Sequence, residues 1–209
     1  MFIKVIESEN VELYRPGGLH PVHLGDTFHN NRYTVVHKLG HGTFSTVWLV
    51  RDSITDRYAA LKIIISESTK VVSEVAVFHH LQQPSNKDID NEDKDYVVHL
   101  LDEFNHHGPN GTHQCIVTEV LGPSLDGLDD GQLMDFFGSI PTRLAKRIAA
   151  QISRGVRYLH KHRVVHGGKS TKFVVCESRL VILTLTFHRS LSKKHSSSYL
   201  YRRGRPKKM

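Results

Sequence analysis

Two short stretches of this sequence hold residues that together could grip a chain of phosphates. The first is Leu39-Gly40-His41-Gly42-Thr43-Phe44-Ser45-Thr46-Val47. Glycines at 40 and 42 let backbone approach a phosphate closely and can take φ > 0, which a side chain opposes. The third glycine of a G-x-G-x-x-G pattern is replaced by the small Ser45. Unrelated nucleotide folds share that pattern, so the next element along the chain decides its meaning. A dinucleotide-binding turn opens straight into a helix. Here the next residues are Thr46-Val47-Trp48-Leu49-Val50, β-branched and aromatic, and they read as a strand. Strand, turn and strand exclude the dinucleotide fold and fit a hairpin flap over ATP.

The second stretch is Ala59-Ala60-Leu61-Lys62, ending fifteen residues beyond Val47. A lysine in an apolar strand costs free energy unless it is paired. A kinase-type role accounts for it: Lys62, with Ala60 beside it, would contact ATP, the ammonium binding the α- and β-phosphates and pairing with a helix glutamate. Glu74 falls on the next helical segment, and Glu67 is a second candidate. The bland alternatives are a surface lysine at a strand edge and a solvated helix charge. Ile116-Val117-Thr118-Glu119-Val120-Leu121-Gly122 then reads as a strand entering a hinge. Adenine would hydrogen-bond backbone groups near Glu119 and Leu121, and Thr118 would guard the back of the pocket. An ordinary strand end has the same pattern.

The elements that must position these groups are legible around them. Residues 1–32 carry YRPGGLHPVHLGD, a Pro- and Gly-punctuated extended arm. Strands are expected at 33–39, 46–50, 58–65, 97–104 and 114–120, with turns at 52–56 and at GPNG. Helical spacing over 70–83 puts Val71, Val75, Phe78 and Leu81 on one face with Glu74. PSNKDIDNEDKD is a solvated loop. A helix over 142–160 starts behind Pro141 and carries a stripe of Leu144, Ile148, Ile152, Val156 and Leu159. Residues 174–176 form a short strand, after which the pattern deteriorates and the basic end favours disorder.

Composition bounds the rest. With 209 residues, 23% charged and 39% hydrophobic, the chain reads as one soluble globular unit with its own core. No apolar run nears the ~20 residues of a membrane span, and the acidic start MFIKVIESEN is unlike a signal peptide. Two cysteines, Cys115 and Cys176, sit in apolar runs, which points to a reducing compartment, cytoplasm or nucleus. Sixteen histidines include no ligand spacing for a metal and read as surface and core residues. A net charge of +7 is concentrated in the last third, which suggests an anionic partner there.

YRPGGLHPVHLGDTF, RYTVVHKLGHGTFSTVWLVRD, YAALKI, NGTHQCIVTEVLG and the helix ending in GVRYLH resemble the SR-protein kinases, most of all their fungal members. The G-G-x-H-P-V-x-x-G-D arm and the F-S-T-V-W-L flap are the discriminating parts, and the likeness spans residues 11–176. The resemblance implies a serine/threonine kinase fold, Mg-ATP as cofactor and Arg/Ser-rich or splicing-related protein substrates, in a monomer. The expected fold is α+β: a five-stranded antiparallel N-lobe sheet with one helix over 33–121, an incomplete helical C-lobe over 122–176, an extension before and a basic tail after.

The family pattern then breaks. Its catalytic loop, H-x-D-L-x-x-x-N, corresponds to Val165-His166-Gly167-Gly168-Lys169-Ser170-Thr171-Lys172-Phe173. Gly168 stands where the aspartate accepts the substrate hydroxyl proton, and Phe173 where the asparagine holds a metal ion. No aspartate occurs after Asp135, so there is no D-F-G beyond the loop, nor an A-P-E. Three readings result: a truncated or mis-spliced kinase, a pseudokinase scaffold that binds ATP or a partner without transfer, or activity by an unusual route. Apolar surface on the long helix is expected to lose cover. In the tail, Arg203-Gly204-Arg205-Pro206 resembles an AT-hook core for A·T-rich DNA; a nuclear-import signal is favoured over it, and a solvated basic tail or aberrant coding sequence is the bland alternative.

Overall fold

Strand spacing and turn chemistry in the first half resolve into one antiparallel sheet. In a computed structural model, described over residues 9–68, 74–83, 93–122, 141–166, 173–176, 179–182 and 187–189, its strands are β1 (Thr27–Phe28), β2 (Tyr33–Gly42), β3 (Ser45–Asp52), β4 (Arg57–Ile64), β5 (Leu100–Gly108) and β6 (Gly111–Thr118). Their order is β1-β2-β3-β4-β6-β5. The five expected strands are present, and the arm contributes the sixth, pairing Thr27 with Thr34 and Phe28 with Tyr33. Two residues are too few to show an alternation, which is why the sequence reads there only as extended.

Tight turns set the register. Gly42 pairs with Ser45 around Thr43-Phe44, and Gly108 with Gly111 around Pro109-Asn110. The strand expected at 97–104 starts later, at Leu100, and is preceded by a 3-10 turn at Lys94–Tyr96. Val97 and Val98 leave the ladder because they are buried against helices instead.

The sheet is covered on both faces. On one lies α1 (Glu74–Gln82), whose Val75 and Phe78 pack with Ile64, Val98, Leu100 and Ile116. The expected first turn of this helix, 70–73, falls outside the described residues. On the other face Val35, Trp48, Val50, Leu61, Ile63, Cys115 and Val117 form the larger core, closed by Phe28 and Val22 of the arm. The arm ends of β2, β3 and β5 are cross-tied: Arg32 makes a bidentate pair with Asp52 and also reaches Asp102, which accepts from Tyr33 Oη at 2.7 Å.

The helix α2 (Thr142–Lys161) starts behind Pro141 as expected and runs one residue further. It lies beside the Lys94–Tyr96 turn, β7 (Val164–His166) and β9 (Arg179–Ile182). Its stripe is covered only at the C-terminal end: Tyr158 and Leu159 are buried, while Leu144, Ile148, Ile152 and Val156 are half-buried. Two short ladders complete the described residues, β8 (Phe173–Cys176) with β9, and β10 (Phe187–Arg189) with β7. Both β9 and β10 fall inside 177–209, where composition favours disorder; backbone ladder pairing supplies there what composition does not signal. Residues 190–209, with Arg203-Gly204-Arg205-Pro206, lie outside the described residues. Among the described residues no helix is long and apolar enough to cross a membrane.

Candidate nucleotide site

Register alone brings the two phosphate-gripping stretches together. Gly40 pairs with Val47, Val47 with Lys62 and Lys62 with Ile116, one row across four strands. Paired residues share a face of a sheet. The next row holds Leu49, Ala60, Thr118 and Leu100 on that same face. Since Ile116 and Leu100 also pack under α1, Lys62 emerges beside the helix.

There Glu74 Oε2 accepts a hydrogen bond from Lys62 Nζ at 2.6 Å. The carboxylate is nearly buried, 9% exposed, whereas a third of the lysine side chain is open to solvent. An ammonium carries three donors, so a lysine held by one carboxylate can still grip an anion. Glu67, the other candidate, lies 3.5 Å from Arg15 instead. Geometry thereby chooses between the two acids.

The flap is the β2–β3 hairpin. A bulge at Leu39 separates the Lys38–Trp48 pair from the Gly40–Val47 pair, and Leu39 is turned outward, 43% exposed. A one-residue bulge flips the faces of the strand residues beyond it, and this turns Gly40 toward the lysine. A Cβ placed on Gly40 would meet nothing within 4 Å, so the space above it is open. Neither Gly40 nor Gly42 has a positive φ, contrary to expectation. The hairpin ladder keeps both in extended backbone, so what these glycines supply is clear space rather than an unusual conformation. His41 and Thr46 form a pair whose row, continued by Ile63 and Cys115, belongs to the opposite face. Thr46 is fully buried there and accepts from Trp48 Nε1 at 3.0 Å, so only its backbone belongs to the flap. Ser45 is buried, and the Phe44 ring at the tip is exposed. The Phe44 carbonyl accepts from Ile65 N at 3.0 Å, which ties the tip down.

Beyond β4, β6 ends at Thr118, on the lysine's face. The Glu119 side chain is drawn toward the start of β5, where the His99 backbone N–H donates to Oε1 at 3.1 Å and His99 Nδ1 lies 3.1 Å from the same oxygen. Leu121 packs onto the cluster beneath α1. No sequence signal marks His99, because a histidine between two strands has no spacing to set it apart. Gly168 lies outside the described residues, and Phe173 opens β8.

The arm carries a family signature in the sequence, but nothing in that signature marks what the arm touches. The carbonyls of Gly17 and Gly18 accept from Glu67 N at 2.8 Å and Ser66 N at 3.2 Å. These amides belong to the 3-10 turn Ser66–Ser68 between Lys62 and Glu74.

Comparison with known proteins agrees with this arrangement. The protein kinase domain model matches residues 33–167. The chain is 40% identical to protein kinase dsk1 of Schizosaccharomyces pombe over 74% of its own length and 28% of that protein's. It is 44% identical to the serine/threonine-protein kinase SRPK of Physarum polycephalum over 77% of this chain and 37% of that one. It is 37% identical to human SRSF protein kinase 3, again over 77% of this chain and 28% of the relative. The matched stretch thus spans well under half of each of these relatives.

Proposed function

The chain belongs to the protein kinase family, in its SRPK-like serine/threonine branch, and from that premise we propose that it holds ATP between the 39–47 flap and Lys62 without moving the γ-phosphate by its own residues. The observation that carries the reading is the assembled pair: Lys62 Nζ and Glu74 Oε2 at 2.6 Å, on the face that Gly40 leaves open. ATP fits the residues present. Bound there, it would supply the triphosphate for Lys62 to grip, while Gly40 and Gly42 let backbone come close and the strand end at Glu119 and Leu121 offers backbone groups to adenine.

Mg²⁺ does not find the same fit. Gly168 and Phe173 carry no side-chain oxygen, and the sequence has no aspartate beyond Asp135. Phosphoryl transfer needs a group to accept the hydroxyl proton and ligands to neutralise the developing charge. Without them the site is one for holding nucleotide. The second reading, transfer to Arg/Ser-rich proteins, is favoured by the relatives' names and by the intact lysine–glutamate pair.

A thermal-shift titration with ATP separates these from an empty fold. At a concentration 100-fold above Kd, ATP should stabilise the chain by ~2.7 kcal/mol, and Lys62→Ala should abolish most of that. No shift at millimolar ATP would sink the proposal. Radiolabelled phosphate appearing on an Arg/Ser peptide, and vanishing in Lys62→Ala, would replace it with the second reading.

A further inference from the structure

Three consecutive backbone amides just past β4 are spoken for by parts of the chain far apart in sequence. Ile65 N donates to the Phe44 carbonyl at the flap tip, Ser66 N to Gly18 and Glu67 N to Gly17. The turn they form lies on the covalent path from Lys62 to Glu74, of which residues 69–73 fall outside the described residues. The arm that meets it is itself held. Gly17 N donates to the Asn110 carbonyl at 2.8 Å, and Asn110 Nδ2 returns a bond to Leu19 O at 2.6 Å. So the β5–β6 turn, the arm and the Ser66–Ser68 turn interlock.

The fit requires glycine. Gly17 has φ +84°, and a Cβ on Gly18 would lie 1.9 Å from the Leu13 carbonyl. Gly111, at φ +125°, leaves room for Ser66 Oγ, which a Cβ would approach to 2.2 Å. Backbone carbonyls fixed by neighbours on both sides are rigid acceptors. By contrast the side-chain pair of Arg15 with Glu67, half-exposed at 3.5 Å, adds little.

We propose that the Gly17-Gly18 arm is a positioning element: by holding the Ser66 and Glu67 amides, next to the Ile65 amide that ties down the flap tip, it sets α1 and the flap tip together, and so sets Glu74 against Lys62. This rests on the nucleotide-site reading only for its consequence; the placement of Glu74 is a property of the free chain. Coupling of this kind needs no contact between arm and nucleotide.

The test is amide hydrogen exchange on the full chain, with peptides covering 40–46, 57–64, 74–82 and 111–118. In Gly18→Val, exchange over 74–82 and 40–46 should rise at least tenfold, while 57–64 and 111–118 stay within about twofold. The ATP-induced thermal shift should shrink in the same variant. Asn110→Ala, which removes one arm contact and creates no clash, should show the same pattern more weakly and serves if Gly18→Val does not fold. Acceleration spread evenly over all four peptides would mean general destabilisation and would overturn the proposal. So would unchanged exchange over 74–82. If exchange rises as expected but wild type shows no ATP shift at all, the positioning role stands and the nucleotide reading fails.

Discussion

Lys62 is set into the middle of a strand row between Val47 and Ile116, and it is tolerable because Glu74 meets it at 2.6 Å. Removing the partner leaves a cation on an apolar face, although its one-third exposure lets water compensate in part. Glu74→Ala should therefore cost about 1–2 kcal/mol, short of the ~3–5 expected for a fully buried pair. Urea unfolding monitored by Trp48 fluorescence measures this, and ATP affinity should fall at least tenfold in the same variant. The pair is legible in the sequence because both ends carry local signals: a lysine inside a β-rich run, and a glutamate on the apolar side of a helical one. What separates Glu74 from Glu67 is a non-local fact, the approach of Arg15 from 52 residues upstream. No spacing rule contains it.

At the scale of elements, α2 is fastened to the sheet side of the molecule by Asp93. That carboxylate, 2% exposed, accepts from Arg154 Nε at 2.8 Å and Arg157 Nε at 2.5 Å. Arg154 also lies over the Tyr96 ring and donates to its hydroxyl. The hydrogen bonds of Arg157 and Arg154, against the cost of burial, hold the Asp93 carboxyl at about 2. Asp93→Ala should loosen α2 from the Lys94–Tyr96 turn and cost about 2 kcal/mol, the scale of charged hydrogen bonds lost at a buried site. Loss of protection over 150–161 by hydrogen exchange, with 57–64 unchanged, checks it. Periodicity marks the limits of this helix, since its stripe and Pro141 are local. It cannot mark the docking partner, because an aspartate in a polar loop is indistinguishable from its solvated neighbours. The bulge at Leu39 is hidden for a similar reason: a single extra residue in a strand is set by pairing, not by composition.

Across the whole molecule, the arm's seat is lined with imidazoles. His20 lies 4.6 Å from His106 and 5.1 Å from His113, ring centre to ring centre, with Phe28 alongside. His113 Nδ1 donates to Ile64 O at 2.8 Å. Burial, and then the neighbouring imidazoles, hold His20 down at about 4, with Asp26 opposing weakly; burial lowers His106 and His113 too. A base with a depressed folded pKa stays neutral while the unfolded chain takes up protons from about pH 6.5 downward. Stability should thus be full above 6.5 and fall between 6.5 and about 4, by at most ~1.4 kcal/mol per pH unit from His20. Glu9 extends the loss: burial pushes its carboxyl up, but bonds from Lys38 and Tyr14 outweigh this and hold it at about 2, so its contribution disappears as pH falls from about 4.5. Urea midpoints at pH 7.5, 5.5 and 4.5 should descend in that order, and a flat series would contradict the neutral cluster.

The arm's place against the larger core bears on where this unit can be cut. The stretch shared with kinases at large opens at Tyr33, the first residue of β2. An expression fragment begun there would lack Leu19, Val22 and Phe28, and would present the Trp48, Leu61 and Val117 side of the sheet to water. A naked apolar sheet face beside a newly freed edge strand is an adhesive surface. A fragment that keeps this face covered should therefore start upstream of the family boundary, early enough to retain Leu19, Val22 and Phe28, and one that also keeps Glu9 retains the carboxylate that accepts from Lys38 and Tyr14.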